Sequence, residues 1–495
     1  MLKTVLSRFL CGLVGLGWSS VGLASSSGIQ PLEGMTISFV GFFSIAVFIL
    51  AYALVMAEEK THLRKSKPVI FAAGIIWAAI ALYCSDDPVL AQRAHDAINH
   101  NFLEYAQLMM FLLVAMTYIS AMEERLVFDA LRSWLIRKGF GFRALFWMTG
   151  ILAFFISPIA DNLTTALLMC AVVLAVGSSS PKFIGLACIN IVVAANAGGA
   201  FSPFGDITTL MVWNKGILGF TNFFVLFLPA AVNFLLPAAI MHFWVPNEHP
   251  EAVDEDVDMK HGAKRIIVLF LCTIATAVSF HQFLHLPPVY GMMTGLAYLQ
   301  LFGYYLKRVE SIAQHKEMPE ALSSKVGDVP AHNNSTPPQS QGFDVFQRVA
   351  SAEWDTLFFF YGVILCVGGL GFLGYLELAS ESMYTDLGAT SANILVGFLS
   401  AIVDNIPVMF AVLTMHPSMD EGQWLLVTLT AGVGGSMLSI GSAAGVALMG
   451  AARGKYTFSA HIKWTPVIML GYVASILTHQ WLNAAAFDKV VIPLP

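Results

Sequence analysis

Long apolar segments separated by short polar ones run along nearly the whole chain. Stretches such as 70–83, 266–280 and 357–376 contain no charged residue. A helix needs roughly 20 apolar residues to cross the hydrocarbon core of a bilayer, so this pattern predicts many membrane spans. The predicted spans are 34–56, 69–84, 101–121, 143–177, 183–213, 218–246, 264–283, 289–306, 354–377, 389–416, 423–452 and 463–483.

The composition favours the same class of protein. Of the 495 residues, 57% are hydrophobic and 12% are charged, whereas soluble proteins carry about 25% charged residues. This balance excludes a soluble or nucleic-acid-binding protein and makes the lipid bilayer the expected partner. The six cysteines lie mostly in apolar segments without a C-x-x-C pair, so we predict neither a zinc site nor a disulfide framework, and no cofactor.

The ends of the chain and one internal segment differ from the spans. Residues 1–24 carry two basic residues, a short apolar stretch and Gly22-Leu23-Ala24. This order is typical of a secretory signal peptide, and an uncleaved first span is the alternative. The polar residues 307–352, rich in Ser and Pro, predict a flexible cytoplasmic linker, and residues 484–495 predict a C-terminal tail.

Two of the predicted spans, 143–177 and 389–416, are too long or too broken for a single crossing. Each carries a polar Asp-Asn pair near its centre. We therefore interpret each as a re-entrant hairpin, which enters the membrane and returns to the same side.

The charges of the loops agree with this topology, since loops rich in Lys and Arg stay cytoplasmic. Loops 57–68 and 122–143 are basic and loop 85–98 is acidic, which places the first two inside and the third outside. The topology places the loop that contains Arg453 and Lys455 on the cytoplasmic side only if both hairpins are re-entrant. The sequence thus predicts a multi-pass protein of the cell inner membrane.

An internal repeat relates the two halves of the chain. The segment SPIADN at 157–162 matches SAIVDN at 400–405, each with a serine four residues before the aspartate. Further along, GGAFSPFGD at 198–206 matches GGSMLSIGS at 434–442. The two hairpins enter from opposite sides, which is the arrangement of inverted-topology repeats in secondary transporters.

The predicted fold class is an all-α polytopic membrane protein of two inverted-topology repeats, each with a re-entrant hairpin and a broken helix. The first repeat takes in about 69–246 and the second about 264–483. Residues 34–306 thus hold the first repeat and the start of the second, and residues 353–483 hold the remainder.

Glycines and a proline predict where the broken helices unwind. At membrane depth, backbone leaves helical geometry only where protein or water satisfies its polar groups, so exposed carbonyls there can hold a small ion. Close helix packing is the alternative role for such glycines, and we favour it for Gly445 and Gly450. The predicted hinge residues are Gly198, Gly199, Pro203, Gly205, Gly434, Gly435 and Gly441.

Asp161, Asp206 and Asp404 are the acids placed most deeply in apolar sequence. A carboxylate at the bilayer centre costs at least a few kcal/mol, which favours a functional role. Because burial disfavours the charged form, such a group holds either a proton or a cation and not both. That exclusion is the logic of a cation/proton exchanger.

Neutral oxygen donors near these acids complete a predicted site for a hard cation such as Na⁺, which prefers oxygen ligands. Helix capping at the hairpin tips is a further role for Asn162 and Asn405. The predicted donors are Asn162, Asn196, Asn405, Thr208, Thr209, Ser157, Ser400, Ser436 and Ser439.

His100 and Glu104 lie near the start of a span. Together with His95 they form a cluster that could titrate near neutral pH and tune activity. A solvated rim of the protein is the alternative interpretation.

At 155–169, 194–213, 398–415 and 434–453 the chain resembles the NhaD-type sodium/proton antiporters of the ion transporter superfamily, which also includes arsenite, citrate and dicarboxylate carriers. Dicarboxylate carriers typically have Ser-Asn-Thr at the hairpin tips, and this chain does not.

The resemblance implies exchange of Na⁺ or Li⁺ for H⁺, for sodium and pH homeostasis, together with an elevator-like movement and a homodimer. The residues that it implies for the ion path are Asp161, Asn162, Asn196, Asp206, Thr208, Thr209, Ser400, Asn405, Ser436 and Ser439.

Two rival functions are weighed against this one. An anion carrier would need positive charge among the buried acids, where we find no buried Arg or Lys. An intramembrane aspartyl protease has Gly-x-Gly before its second aspartate, and Pro203 replaces the first glycine ahead of Asp206. A protease also leaves the duplicated hairpins unexplained, so we predict a secondary transporter and not an enzyme.

Overall fold

The computed structural model describes residues 32, 34–61, 63–177, 180–249, 257–322 and 343–491. Over these residues the chain forms helices joined by short turns, and its β-pairing is one isolated bridge between Asp420 and Val490. The predicted leader, 1–24, lies outside the described residues. The prediction of an all-α protein with many spans is confirmed.

The helices follow the predicted spans closely. The longer helices are α1 (Phe39–Met56), α2 (Ser66–Cys84), α3 (Pro88–Glu124), α4 (Val127–Arg137), α5 (Phe142–Ala160), α6 (Asn162–Val176), α7 (Pro181–Gly199), α8 (Ile207–Asn214), α9 (Phe227–His242), α10 (Ala263–Leu284), α11 (Pro288–Leu322), α12 (Trp354–Phe372), α13 (Ala389–Ile402), α14 (Asn405–Met415), α15 (Glu421–Gly434), α16 (Ala443–Ala451) and α17 (Thr465–Leu482).

Shorter elements join these helices. They are the α-helical turns Glu58–Thr61, Val345–Ala350, Tyr375–Ser380 and Phe458–Ile462, the 3₁₀ turns Met35–Ile37, Phe220–Leu226 and Ala484–Asp488, and the π-helical turn Glu381–Asp386. Eight helical segments of the described chain are long and apolar enough to cross a membrane, counting the turn before α9 as part of that segment.

The segment predicted as a linker is more ordered than expected at both ends. Helix α11 continues past the predicted end at 306 to Leu322, and Val345–Ala350 forms a helix that packs against α3. These helices have a polar composition, so the apolar periodicity that predicts membrane spans does not reveal them. Residues 323–342, the centre of the predicted linker, lie outside the described residues.

One group of helices forms a scaffold beside the repeat motifs. Helix α2 packs between α1 and α12, and α3 packs against α11 and α12. Buried polar side chains fix these helices to one another. Trp77 Nε1 donates to Leu365 O at 2.9 Å, and Tyr118 OH donates to Gly295 O at 2.7 Å.

A second group carries the repeated motifs, and its two halves pack alike. Helix α5 packs along α7 in the first half, and α13 packs along α15 in the second. Ser157 Oγ donates to Ala195 O and Ser400 Oγ donates to Ala431 O, both at 2.7 Å. Both carbonyls lie three residues before the first glycine of the matched motif. The matched serines therefore occupy matched positions in the fold.

The halves also exchange contacts. Helix α8 of the first half packs against α14 of the second, and α16 of the second packs against α6 of the first. Each broken helix thus contacts the hairpin of the other half, which brings both Asp-Asn motifs to one place. The re-entrant path of the hairpins and their inverted orientation stay predictions.

The glycines of the two motifs allow backbone segments to touch. A Cβ on Gly434 would lie 2.8 Å from Gly397 Cα, and one on Gly205 would lie 2.7 Å from Gly199 Cα. Gly445 is similarly crowded, with the Ser439 carbonyl carbon 2.9 Å from an added Cβ. The packing role expected for Gly450 is wrong, because no atom of the described residues lies within 4 Å of a Cβ at that position.

We expect Gly434→Ala to destabilise the fold, because the new methyl group meets backbone that cannot move aside. Overpacking of this kind costs about 1–3 kcal/mol. The measurement is the midpoint of thermal unfolding of the purified protein in detergent. Gly450→Ala is the matched control and should leave the midpoint unchanged; an equal midpoint for both variants would show that the crowding at Gly434 is unimportant.

Candidate functional site

Asp206 lies at the centre of the site, at the amino end of α8. It is 4% exposed, and its Oδ1 accepts a hydrogen bond from Thr208 N at 3.0 Å. Asn162 Nδ2, from the tip of the first hairpin, donates to Oδ2 at 3.2 Å. Asn405 Nδ2, from the second hairpin, donates to Oδ2 at 3.1 Å and to Oδ1 at 3.2 Å. One carboxylate therefore binds an amide from each half of the molecule.

Asn196 extends this network into the second broken helix. The side chain is fully buried on α7, and its Oδ1 accepts from Asn162 Nδ2 at 3.1 Å. Its Nδ2 donates to Ser436 Oγ at 2.9 Å and to Ser442 Oγ at 3.0 Å. The amides and hydroxyls of both unwound segments thus form one continuous polar cluster around Asp206.

Ser442 belongs to this cluster although it was not among the predicted donors. It caps α16 by accepting from Gly445 N, as Asp206 caps α8 by accepting from Thr208 N. The matched motifs 198–206 and 434–442 place these two residues at the same position. That alignment was the signal that could have found Ser442.

Asp161 is close to the site but is held differently. Its φ is 58°, in the region that L residues rarely adopt. Its carboxylate accepts from Thr164 N at 2.8 Å and from Thr164 Oγ1 at 2.9 Å. Asp161 is thus the amino-terminal cap of α6, and its hydrogen-bonded partner is Thr164, one turn along the same helix.

Asp404 faces a basic side chain. Its Oδ2 lies 3.7 Å from Lys65 Nζ, while its Oδ1 is buried without a hydrogen-bond partner among the described residues. Lys65 is half-buried, so the expectation of no buried Lys or Arg among the acids is not contradicted, although a basic side chain does lie beside one of them. Lys65 immediately precedes α2, and its ammonium lies 4.7 Å from the centre of the Phe359 ring. A long apolar stem lets such a charge reach inward from a helix end.

Two adjoining cavities give access to these groups. A cavity of about 170 Å³ is lined by Asp161, Asn162, Asp206 and Asn405, among others. A second, of about 290 Å³, is lined by Asp404 and by residues that include Ser442, Glu58 and Tyr52. The residues that line both cavities are Lys65, Leu163, Glu353 and Ala443.

Several predicted donors serve the backbone. The hydroxyls of Ser157 and Ser400 donate to carbonyls of α7 and α15. Thr209 Oγ1 donates to Ser202 O at 2.8 Å and to Asp206 O at 2.6 Å. These side chains thus add hydrogen bonds to carbonyls in and beside the broken helices.

Two other predicted donors lie in the interior near the broken helices. Thr208 Oγ1 and Ser439 Oγ are buried and have no hydrogen-bond partner among the described residues. The predicted residues that come together around Asp206 are Asn162, Asn196, Thr208, Asn405 and Ser436.

His100 and Glu104 form an ion-pair cluster on α3. His100 Nε2 lies 2.7 Å from Glu104 Oε1, and Lys215, just beyond the end of α8, also pairs with Glu104. The Glu104 side chain is 17% exposed, so the cluster is not a fully solvated rim. Because Glu104 lies on α3 and Lys215 follows α8, the pair also joins the scaffold to a broken helix. Sequence reasoning missed Lys215. The predicted role of the cluster in pH tuning stays a prediction.

Comparison with known proteins places the chain among carriers. A family model described as a citrate transporter matches residues 29–317 and 339–432. The chain is 59% identical over 488 residues to the Na(+)/H(+) antiporter NhaD of Alkalimonas amylolytica, covering 97% of this chain and 98% of that one. It is 59% identical over 474 residues to the NhaD antiporter of Vibrio cholerae, covering 95% and 97%. Sodium/proton antiporter 1 of Arabidopsis thaliana is 29% identical over 461 residues, covering 89% and 72%.

We expect Thr209→Val to destabilise the broken helix. The substitution removes the hydroxyl bonds to the carbonyls of Ser202 and Asp206. Each carbonyl keeps one backbone donor, so the expected loss is that of a buried hydrogen bond, about 0.5–1.5 kcal/mol. Thr209→Ser keeps the hydroxyl and should restore the midpoint of thermal unfolding. A valine variant as stable as the serine variant would mean that these hydrogen bonds do not hold the segment.

Proposed function

Because this chain belongs to the NhaD family of Na⁺/H⁺ antiporters, we propose that it exchanges Na⁺ for H⁺ across the membrane that its helices cross. The relatives that carry this name share 55–62% of aligned residues with it. The transporter is a multi-pass protein of the inner membrane, and it draws on ion gradients and needs no resident cofactor. We include Li⁺ as a second substrate and a homodimer in the proposal.

The observation that carries the proposal is the single buried carboxylate of Asp206 between the two hairpin tips. It accepts hydrogen bonds from Asn162 and Asn405, and these donors stabilise the ionised form of the carboxylate against the cost of burial. Na⁺ and H⁺ would both bind to the same oxygens of Asp206. Since one ion must leave before the other binds, the site couples the two movements.

The groups around Asp206 suit a small hard cation. Each asparagine amide offers an oxygen as well as the nitrogen that it directs at the carboxylate, so rotation of the amide presents a neutral ligand to Na⁺. The Oγ atoms of Ser436 and Ser442 accept from Asn196, which in turn accepts from Asn162 beside the carboxylate. Hard cations prefer such carboxylate, amide and hydroxyl oxygens to sulfur or imidazole ligands.

An anion such as citrate fits the cavity less well. The ionisable side chains that line the cavity around Asp206 are four carboxylates against one ammonium, namely Glu123, Asp161, Asp206 and Glu353 against Lys65. A multivalent anion would be repelled by this excess of negative charge, which acts strongly in a medium of low dielectric constant. The charge balance therefore favours cation exchange within this family of carriers.

We expect Asp206→Asn to abolish exchange, because the amide keeps the shape of the side chain but binds neither a proton nor Na⁺ as a counter-charge. The measurement is Na⁺-dependent dequenching of a ΔpH-sensitive dye in everted membrane vesicles from a bacterium that lacks its own antiporters. Asp386→Asn, at an exposed position, is the matched control and should exchange like the wild type.

Two results would count against the proposal. Dequenching retained in the Asp206→Asn variant would remove that carboxylate from the exchange. Absence of any response to Na⁺ or Li⁺ in the wild type, with the protein present in the membrane, would contradict cation exchange altogether.

A further inference from the structure

We propose that Lys65 is a resident counter-ion of Asp404, which competes with the transported cation and thereby limits the affinity of the protein for Na⁺. The inference rests on the proposed function and adds a residue outside the repeated motifs to it. Lys65 belongs to the scaffold, whereas Asp404 lies at the tip of the second hairpin.

The contact is close and largely shielded from water. Lys65 Nζ lies 3.7 Å from Asp404 Oδ2, and the two side chains are 18% and 14% exposed. The ammonium also lies 4.7 Å from the centre of the Phe359 ring on α12. A cation over an aromatic face is attracted by the ring, so Phe359 holds the lysine side chain toward the hairpin.

Asp404 has fewer other partners than the remaining membrane acids. Asp206 accepts from one backbone amide and two asparagines, and Asp161 accepts twice from Thr164. Asp404 makes no capping bond to α14, and its Oδ1 is buried without a hydrogen-bond partner among the described residues. Asp404 therefore faces the Lys65 ammonium through Oδ2. Its other oxygen, Oδ1, is left to bind a ligand.

The position of Lys65 suits a competitor. It lines both the cavity that contains Asp206 and the cavity that contains Asp404. Glu58 and Glu353 line the second cavity as well. These carboxylates give the ammonium an alternative partner when a cation displaces it from Asp404.

Electrostatics sets the direction of the effect. Two positive charges within about 4 Å repel each other even when partly screened, so the ammonium opposes Na⁺ at Asp404, which we propose as a second contact of the ion beside the central Asp206. Removal of the positive charge should tighten Na⁺ binding, on the order of tenfold for a partly buried charge. If Lys65 had a purely structural role, its substitution would lower the stability of the protein and leave the affinity for Na⁺ unchanged.

The test uses the purified full chain, with Na⁺ binding measured by calorimetry and KM and maximal rate of exchange measured in proteoliposomes. We expect Lys65→Gln to lower the Kd and the KM for Na⁺ about tenfold, and Lys65→Arg to remain near the wild type. Lys65→Met keeps the apolar stem over Phe359, and it replaces the glutamine variant if that one does not fold. Lys67→Gln, at an exposed position two residues away, is the matched control and should behave as the wild type.

A second arm identifies the partner of the ammonium. In an Asp404→Asn background, Lys65→Gln should produce no further tightening, since the carboxylate that it releases is gone. Tightening of the same size in both backgrounds would show that Lys65 acts on another acid and would overturn the proposal.

The outcomes separate this inference from the proposed function. If the wild type exchanges Na⁺ for H⁺ but the neutral Lys65 variants bind Na⁺ no more tightly than Lys67→Gln, the inference alone is wrong. If the wild type neither binds nor exchanges Na⁺, the proposed function is wrong, and the counter-ion role falls with it.

Discussion

Every backbone polar group at membrane depth must find a partner inside the protein, and this constraint governs the whole site. The chain unwinds after α7 and again after α15. Hydroxyl side chains add hydrogen bonds to the carbonyls there, as when Thr209 donates to the carbonyls of Ser202 and Asp206 and Ser202 donates to the carbonyl of Pro158. Glycines then let the two ends of each unwound segment approach, so the break remains compact.

The same breaks bring distant parts of the chain to one carboxylate. Asp206 can accept from the tips of both hairpins because each broken helix packs against the hairpin of the other half. The repeat therefore does more than duplicate a fold. It converts two sequence motifs about 240 residues apart into neighbours across Asn196 and Ser436, and both hairpin tips donate to Asp206.

The sequence was sufficient to predict the helices and the residues that cluster around Asp206. Apolar length located the helices, and the paired motifs located both breaks and the residues around Asp206. Individual roles were harder to predict, because hydroxyls that ligate an ion and hydroxyls that satisfy a carbonyl look alike in sequence, as Thr209 shows. Lys65 was missed because its place at a helix end indicated a loop, and the reach of its side chain depends on how α2 packs against α12.

The matched positions at which the two halves differ determine the charge of the site. The matched position of Asp206 in the second half is Ser442, and both side chains cap the helix that follows. A second aspartate there would place two negative charges on the same polar cluster, and their repulsion would hold a proton between them. A serine keeps the cap and supplies a neutral oxygen. In the hairpins the asymmetry is of another kind, since Thr164 binds Asp161 while Asp404 faces Lys65. Two similar backbone segments thus surround one central carboxylate, that of Asp206, which suits a cation of single charge.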